Sequence, residues 1–187
     1  MKSILPLALL IVLLQSCGGG KKVVVMASGK VSAEGTVITL EPGTQHNELP
    51  IMVSGDKVTV KNGSASTDYP VTESGIYILN LKNDTLVGSY QRVGEGAGQQ
   101  SISQEGLAKS IDSLQQLMAG TNVSAAARNY NIAPGKLAKI SSNTASDIIG
   151  PFVKMPSSFE GGKDYEIYKF FTNKEVAETV EKLKKLQ

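Results

Sequence analysis

Ile76-Tyr77-Ile78-Leu79-Asn80-Leu81 and Leu86-Val87-Gly88-Ser89-Tyr90 are two apolar runs separated by the polar segment Lys82-Asn83-Asp84-Thr85. Short runs rich in β-branched and aromatic side chains, joined by Asn and Asp, predict a β-hairpin. The chain upstream has the same texture. Val23-Val24-Val25-Met26 is a short apolar run, and Val31 to Leu40, broken by Gly35, carries Val37, Ile38 and Leu40. Leu49-Pro50-Ile51-Met52-Val53 then precedes Gly55-Asp56 and the alternating Val58-Thr59-Val60. Strands punctuated in this way by Gly, Asn and Asp suggest a sandwich or barrel, so residues 23–93 are expected to form an antiparallel β-sandwich of about six or seven strands.

Downstream the pattern changes. Gly94-Glu95-Gly96-Ala97-Gly98-Gln99-Gln100 has the glycine density of a phosphate loop. It lacks both the G-K-[ST] ending of a Walker loop and the third-glycine spacing of a dinucleotide fingerprint, and reads as a linker. Residues 101–187 read as a mixed α+β region. Ser101 and Gln104 have capping-box spacing, Leu107, Ile111, Leu114, Leu117 and Met118 form one helical stripe, and Gly120 stands where a helix would stop. Tyr165-Glu166-Ile167-Tyr168-Lys169-Phe170-Phe171 alternates like a strand. Thr172 and Glu175 then open a helix expected to bury Val176, Val180, Leu183 and Leu186. The whole chain is expected to be α+β, with an amphipathic C-terminal helix covering a sheet.

The N-terminus carries an address. Lys2 precedes an apolar stretch from Ile4 to Leu14, followed by Leu14-Gln15-Ser16-Cys17. A basic start, a short apolar core and small residues before a cleavage point describe an export signal over residues 1–16, too short for the roughly twenty residues of a membrane span. Leu14-Gln15-Ser16-Cys17 resembles the lipobox of bacterial lipoproteins. That resemblance implies a diacylglycerol on the Cys17 sulfur, cleavage after Ser16 and membrane anchoring through acyl chains, each buried methylene contributing about 0.8 kcal/mol. Gly18-Gly19-Gly20-Lys21-Lys22 completes a tether over residues 17–22. By analogy with lipoprotein sorting, Gly18 instead of Asp after the cysteine implies the outer membrane, facing the periplasm.

Composition narrows the function. Lys plus Arg number 19 against 17 Asp plus Glu, for a net charge of +2. No concentrated basic surface exists, which argues against nucleic acid as a partner. Lys182, Lys184 and Lys185, interleaved with Glu181, read as a solvated helix face. The single cysteine is consumed by the lipobox, which leaves no disulfide, thiol nucleophile or thiolate ligand. His46, the single histidine, lies in the polar Gln45-His46-Asn47-Glu48 and reads as a solvated loop residue. No G-x-S-x-G elbow is present. Ser54-Gly55-Asp56-Lys57 matches S-x-x-K in letters but reads as a β-turn. No catalytic residue, metal site or cofactor is assigned. A hydrolase could rest only on converging carboxylates among Glu34, Glu41, Glu48 and Asp56.

Gly120-Thr121-Asn122-Val123-Ser124-Ala125-Ala126-Ala127-Arg128-Asn129-Tyr130-Asn131-Ile132 resembles the first half of a LysM domain. Lys136 to Ile140 stands where that family has its second helix, and Lys154-Met155-Pro156 where it has its closing strand. Over residues 113–156 the resemblance implies binding of peptidoglycan. Thr121, Asn122 and Ala126 depart from the family pattern. Read from the residues alone, Lys136 to Ser141 is instead a strand, Ser142 to Ser146 a turn, and Asp147 to Phe152 its returning partner. In that reading the chain resembles uncharacterised Bacteroidota lipoproteins. All four phenylalanines and two of the six tyrosines fall between Phe152 and Phe171. Phe159 sits in the loop-like Pro156-Ser157-Ser158-Phe159-Glu160-Gly161-Gly162. Exposed rings of this kind stack on sugars or anchor partners. Phe159, Tyr130 and Arg128 are the expected contacts for a ligand or an envelope protein. The expectation is a non-enzymatic, membrane-anchored envelope lipoprotein, with peptidoglycan binding as the alternative.

Overall fold

The computed structural model describes residues 20–91, 103–156 and 166–186. The expected signal segment, Cys17, the expected linker at 94–100 and Phe159 lie outside these described residues.

The first sheet grows from β1 (Lys21–Glu34), which pairs antiparallel with β2 (Val37–Met52) across a turn at Gly35. The polar Gln45-His46-Asn47-Glu48, expected as a loop, belongs to β2, where His46, Asn47 and Glu48 pair with Ser28, Ala27 and Met26 of β1. The register shifts once, between Ser28 and Gly29. Gly29 has φ +113°, and a Cβ there would lie 2.1 Å from the Glu41 carbonyl oxygen, so only glycine fits this bulge. Next come β3 (Lys57–Asn62), β4 (Ala65–Pro70) and β5 (Gly75–Leu81). β3 runs parallel to the start of β2, with residues 41–56 acting as the crossover that parallel pairing requires. β5 runs parallel to β1 on its other side. Its far edge is closed by β8 (Lys136–Ser141), which is antiparallel to it.

The second sheet holds β6 (Leu86–Gln91), β7 (Asn129–Ile132), β9 (Asp147–Ile149) and β10 (Ile167–Thr172), in the order β7-β6-β10-β9. Its β9–β10 pair is parallel and the other two pairs are antiparallel. Helix α1 (Gln104–Ala119) and helix α2 (Asn173–Lys184) complete a sheet-rich α+β fold.

Several expectations are corrected by this pairing. The sheets are mixed, so residues 23–93 are not an antiparallel sandwich of their own. Strands from both sides of residues 94–100 meet in each sheet, which leaves no division between the sheets at that point. The hairpin expected across Lys82–Thr85 is a change of sheet, with β5 in one and β6 in the other. The reason lies in β5 itself, where Ile76, Tyr77, Ile78 and Leu79 are all buried. A strand apolar on both faces is an interior strand and needs a neighbour on each edge. Likewise β8 and β9 are not partners, because β8 pairs with β5 and β9 with β10.

Among the described residues, three apolar clusters follow from this arrangement. Val23, Val25, Ile38, Val58, Val60 and Leu79 fill the face of the bent first sheet that turns away from the second sheet. Val24, Met26, Ile76 and Ile78 project from the opposite face onto Leu86, Tyr130, Tyr168 and Phe170 of the second sheet. Full burial of each such side chain contributes roughly 1.5–3 kcal/mol. The outer face of the second sheet, through Val87 and Phe171, receives Leu107, Ile111 and Leu117 of α1 and Val176 and Val180 of α2.

The helix ends are built as the sequence suggests, with two adjustments. The N-cap of α1 is Ser103, accepting from Gly106 N, rather than Ser101. Gly120 closes the helix in the left-handed region. The Thr172–Glu175 capping box of α2 is present in both directions. Leu186, expected to be buried, lies beyond the end of α2 and is exposed.

Candidate functional site

The sequence-named Arg128 and Tyr130 meet where the second sheet adjoins the end of β8. Arg128 ends the turn segment before β7, with φ +54°, a backbone conformation unusual for a non-glycine residue. This conformation swings its side chain across the sheet. The guanidinium carbon sits 4.6 Å from the centre of the Tyr90 ring, and Nη2 lies 2.9 Å from Glu166 Oε1. Ring and carboxylate hold the guanidinium from two directions, while the Arg128 side chain stays 43% exposed.

Glu166 enters just before β10. Its other oxygen accepts hydrogen bonds from Ser141 Oγ at 2.7 Å and Ser146 Oγ at 2.9 Å. Ser146 is fully buried, and its Oγ also lies 3.1 Å from Ser141 Oγ. Burial by itself would raise the Glu166 pKa. The two serine hydroxyls and the Arg128 charge outweigh it and hold the carboxyl below its ordinary value.

The floor is phenolic. Tyr130 and Tyr168 are buried edge to face, with ring centres 5.9 Å apart. Tyr130 OH donates to the Ile140 carbonyl oxygen. Burial, and then the neighbouring Tyr168, push the Tyr130 pKa up to about 12, so its hydroxyl stays a neutral donor. Above this floor is a cleft of about 390 Å³, rimmed by Arg128, Ser142, Asn143 and Glu166. Its size falls at the small end of ligand sites, which run from roughly 300 to 1,000 Å³. The cleft presents one half-exposed cation, one ionised carboxylate and several hydroxyl and amide groups. Such a set can orient a small polar ligand.

No family model matches this chain, and comparison with curated proteins and with solved structures gave no significant match.

The other sequence-named features are distributed differently. Residues 125–128 form a turn closed by the Ser124–Asn129 bridge, and Lys136–Ser141 is strand β8, where the LysM resemblance implies the second helix. The LysM arrangement of elements over residues 113–156 is thereby corrected. Glu41, Asp56 and Glu48 face three different partners, Lys30, Lys21 and His46, rather than one another. Among the described residues, no group of three or more His, Cys, Asp and Glu side chains is arranged to hold a metal ion, and no helix is long and apolar enough to cross a membrane. His46, expected as a solvated loop residue, is a half-buried member of β2. Glu166, Ser141, Ser146 and Tyr168 were not anticipated as neighbours of Arg128. They gather around the Arg128–Glu166 pair from three segments, the end of β8, the turn before β9 and the start of β10, a proximity that no local spacing encodes.

Proposed function

We propose that this chain is a lipid-anchored lipoprotein of the bacterial envelope, tethered to the outer membrane on its periplasmic side, whose role is to bind rather than to catalyse. The Leu14-Gln15-Ser16-Cys17 sequence supports the anchor. The observation that carries the binding role is Arg128, fixed between Glu166 and Tyr90 yet half exposed at a cleft of about 390 Å³. A guanidinium has five donors in a planar fork, and this one is preorganised for a ligand carboxylate. The paired cation and carboxylate favour a ligand bearing both an acidic and a hydroxyl or amino group.

Peptidoglycan fragments, with lactyl and peptide carboxylates beside sugar hydroxyls, fit that description. This second reading rests on the cleft, not on LysM helices. Retention of the protein on purified sacculi, with loss in Arg128→Ala, supports it. Indifference to sacculi retires the peptidoglycan reading and leaves a smaller soluble ligand. Failure of Cys17→Ala to move the protein from the membrane to the soluble fraction contradicts the anchor.

A further inference from the structure

A second group of titratable side chains lies away from the cleft, where β2, the β5–β6 connection and the turn after β9 meet. His46 Nε2 lies 2.7 Å from Glu48 Oε1, and His46 Nδ1 lies 3.1 Å from Lys82 Nζ. An ionised carboxylate only accepts, so Glu48 fixes the proton on Nε2 and leaves the Nδ1 lone pair facing the lysine amine. Glutamate, imidazole and amine thus stand in line, the order in which an oriented base activates a nucleophile.

The surroundings complete the arrangement. Lys82 is only 7% exposed. The Phe152 ring covers it, centred 5.5 Å from Nζ and edge-on to His46 at 5.4 Å. Phe152 is itself 63% exposed and adopts φ +65°, a left-handed conformation that is strained for a non-glycine residue. Lys169 Nζ donates to the Gly150 carbonyl and Phe152 N donates to Glu175 Oε1 at 3.1 Å, so the strained turn is held from both sides. Strain maintained by surrounding contacts is found preferentially at functional sites.

We propose that Lys82 is a reactive amine, activated by the Glu48–His46 pair and covered by Phe152, which condenses with the carbonyl carbon of a small aldehyde to form an imine. The Lys82 nitrogen adds to the carbonyl carbon. His46 Nδ1 relays the two amine protons in turn to the carbonyl oxygen, which departs as water as the C=N bond forms. Burial lowers the Lys82 pKa, although the charges of Glu175, Asp84 and Glu48 oppose it, and this favours the neutral amine that addition requires. Lys169, also buried with a lowered pKa, is engaged with Gly150 and stacked 4.5 Å from the Phe171 ring, so it does not compete.

The test treats the full chain with benzaldehyde and cyanoborohydride and maps benzylated lysines by peptide mass. Lys82 is expected to label about tenfold or more faster than exposed Lys136, and His46→Gln to remove that advantage while Lys136 labels at the parental rate. Phe152→Ala, at an exposed ring outside any core cluster, is expected to raise labelling at Lys82 alone. Labelling of Lys82 no faster than Lys136, or unaffected by His46→Gln, overturns the proposal. So does an unchanged Lys82 rate in Phe152→Ala, which keeps the test decisive if His46→Gln does not fold.

Discussion

Arg128 and Glu166 form a 2.9 Å ion pair between two segments far apart in sequence, the turn before β7 and the start of β10. The pair joins the edge strand of the second sheet to an inner one and sets one wall of the cleft. It holds Arg128 in a left-handed backbone conformation that an alanine would tolerate equally badly. Arg128→Gly should therefore be more stable than Arg128→Ala by about 1–2 kcal/mol, although both lose the same ion pair. Urea denaturation of the two variants measures the difference directly.

The Glu166 carboxyl is held below its ordinary pKa of 4.5. A group with a depressed folded-state pKa contributes stability that is present above the unfolded value and lost as pH falls through the folded one. Between about pH 6 and pH 3, the parent should lose more stability than Glu166→Gln, which has nothing to titrate there. Parallel losses in denaturation series at both pH values would contradict the serine and arginine contacts assigned to this carboxyl.

Tyr130 should titrate late, at about pH 12, well above the ordinary phenol value of 10. A raised folded-state pKa contributes stability below the unfolded value of 10, which is lost as pH rises toward the folded one. Alkaline ultraviolet titration of Tyr130→Phe should lack one late-ionising phenol. The same variant should be destabilised by about 1–3 kcal/mol, because the buried Ile140 carbonyl loses its donor.

Gly88 lies in β6 against β10, where an added Cβ would approach Phe170 Cδ1 to 2.5 Å and the Lys169 carbonyl oxygen to 2.6 Å. Gly88→Ala should cost about 1–3 kcal/mol through overpacking, read as a lowered denaturation midpoint at unchanged slope.

The sequence showed elements more readily than partners. Both helices, the capping box at Thr172 and Glu175, and the strand character of Ile76–Leu81, Leu86–Tyr90 and Lys136–Ser141 were legible, because periodicity and caps are local. Strand pairing was not. Lys82–Thr85 is polar enough for a hairpin turn, and only the burial of β5 on both faces shows that it links two sheets. His46 illustrates the same limit: its polar neighbours in sequence suggest solvent, while Lys82 and Phe152 arrive from distant elements to enclose it. Arg128 and Tyr130 were singled out through a LysM resemblance whose helices the fold does not contain. They came together nonetheless, because β7 lies at the edge of the second sheet and faces the end of β8.

Calorimetric titration of purified muropeptides, alongside their separated sugar and peptide portions, into the parent chain and Arg128→Ala tests the binding cleft most directly. Saturable binding by the parent, weakened about tenfold or more in Arg128→Ala, is the expected result for a charge-assisted contact. Binding of equal strength in both proteins, or no binding of any of these carboxylate and hydroxyl ligands, would contradict the account.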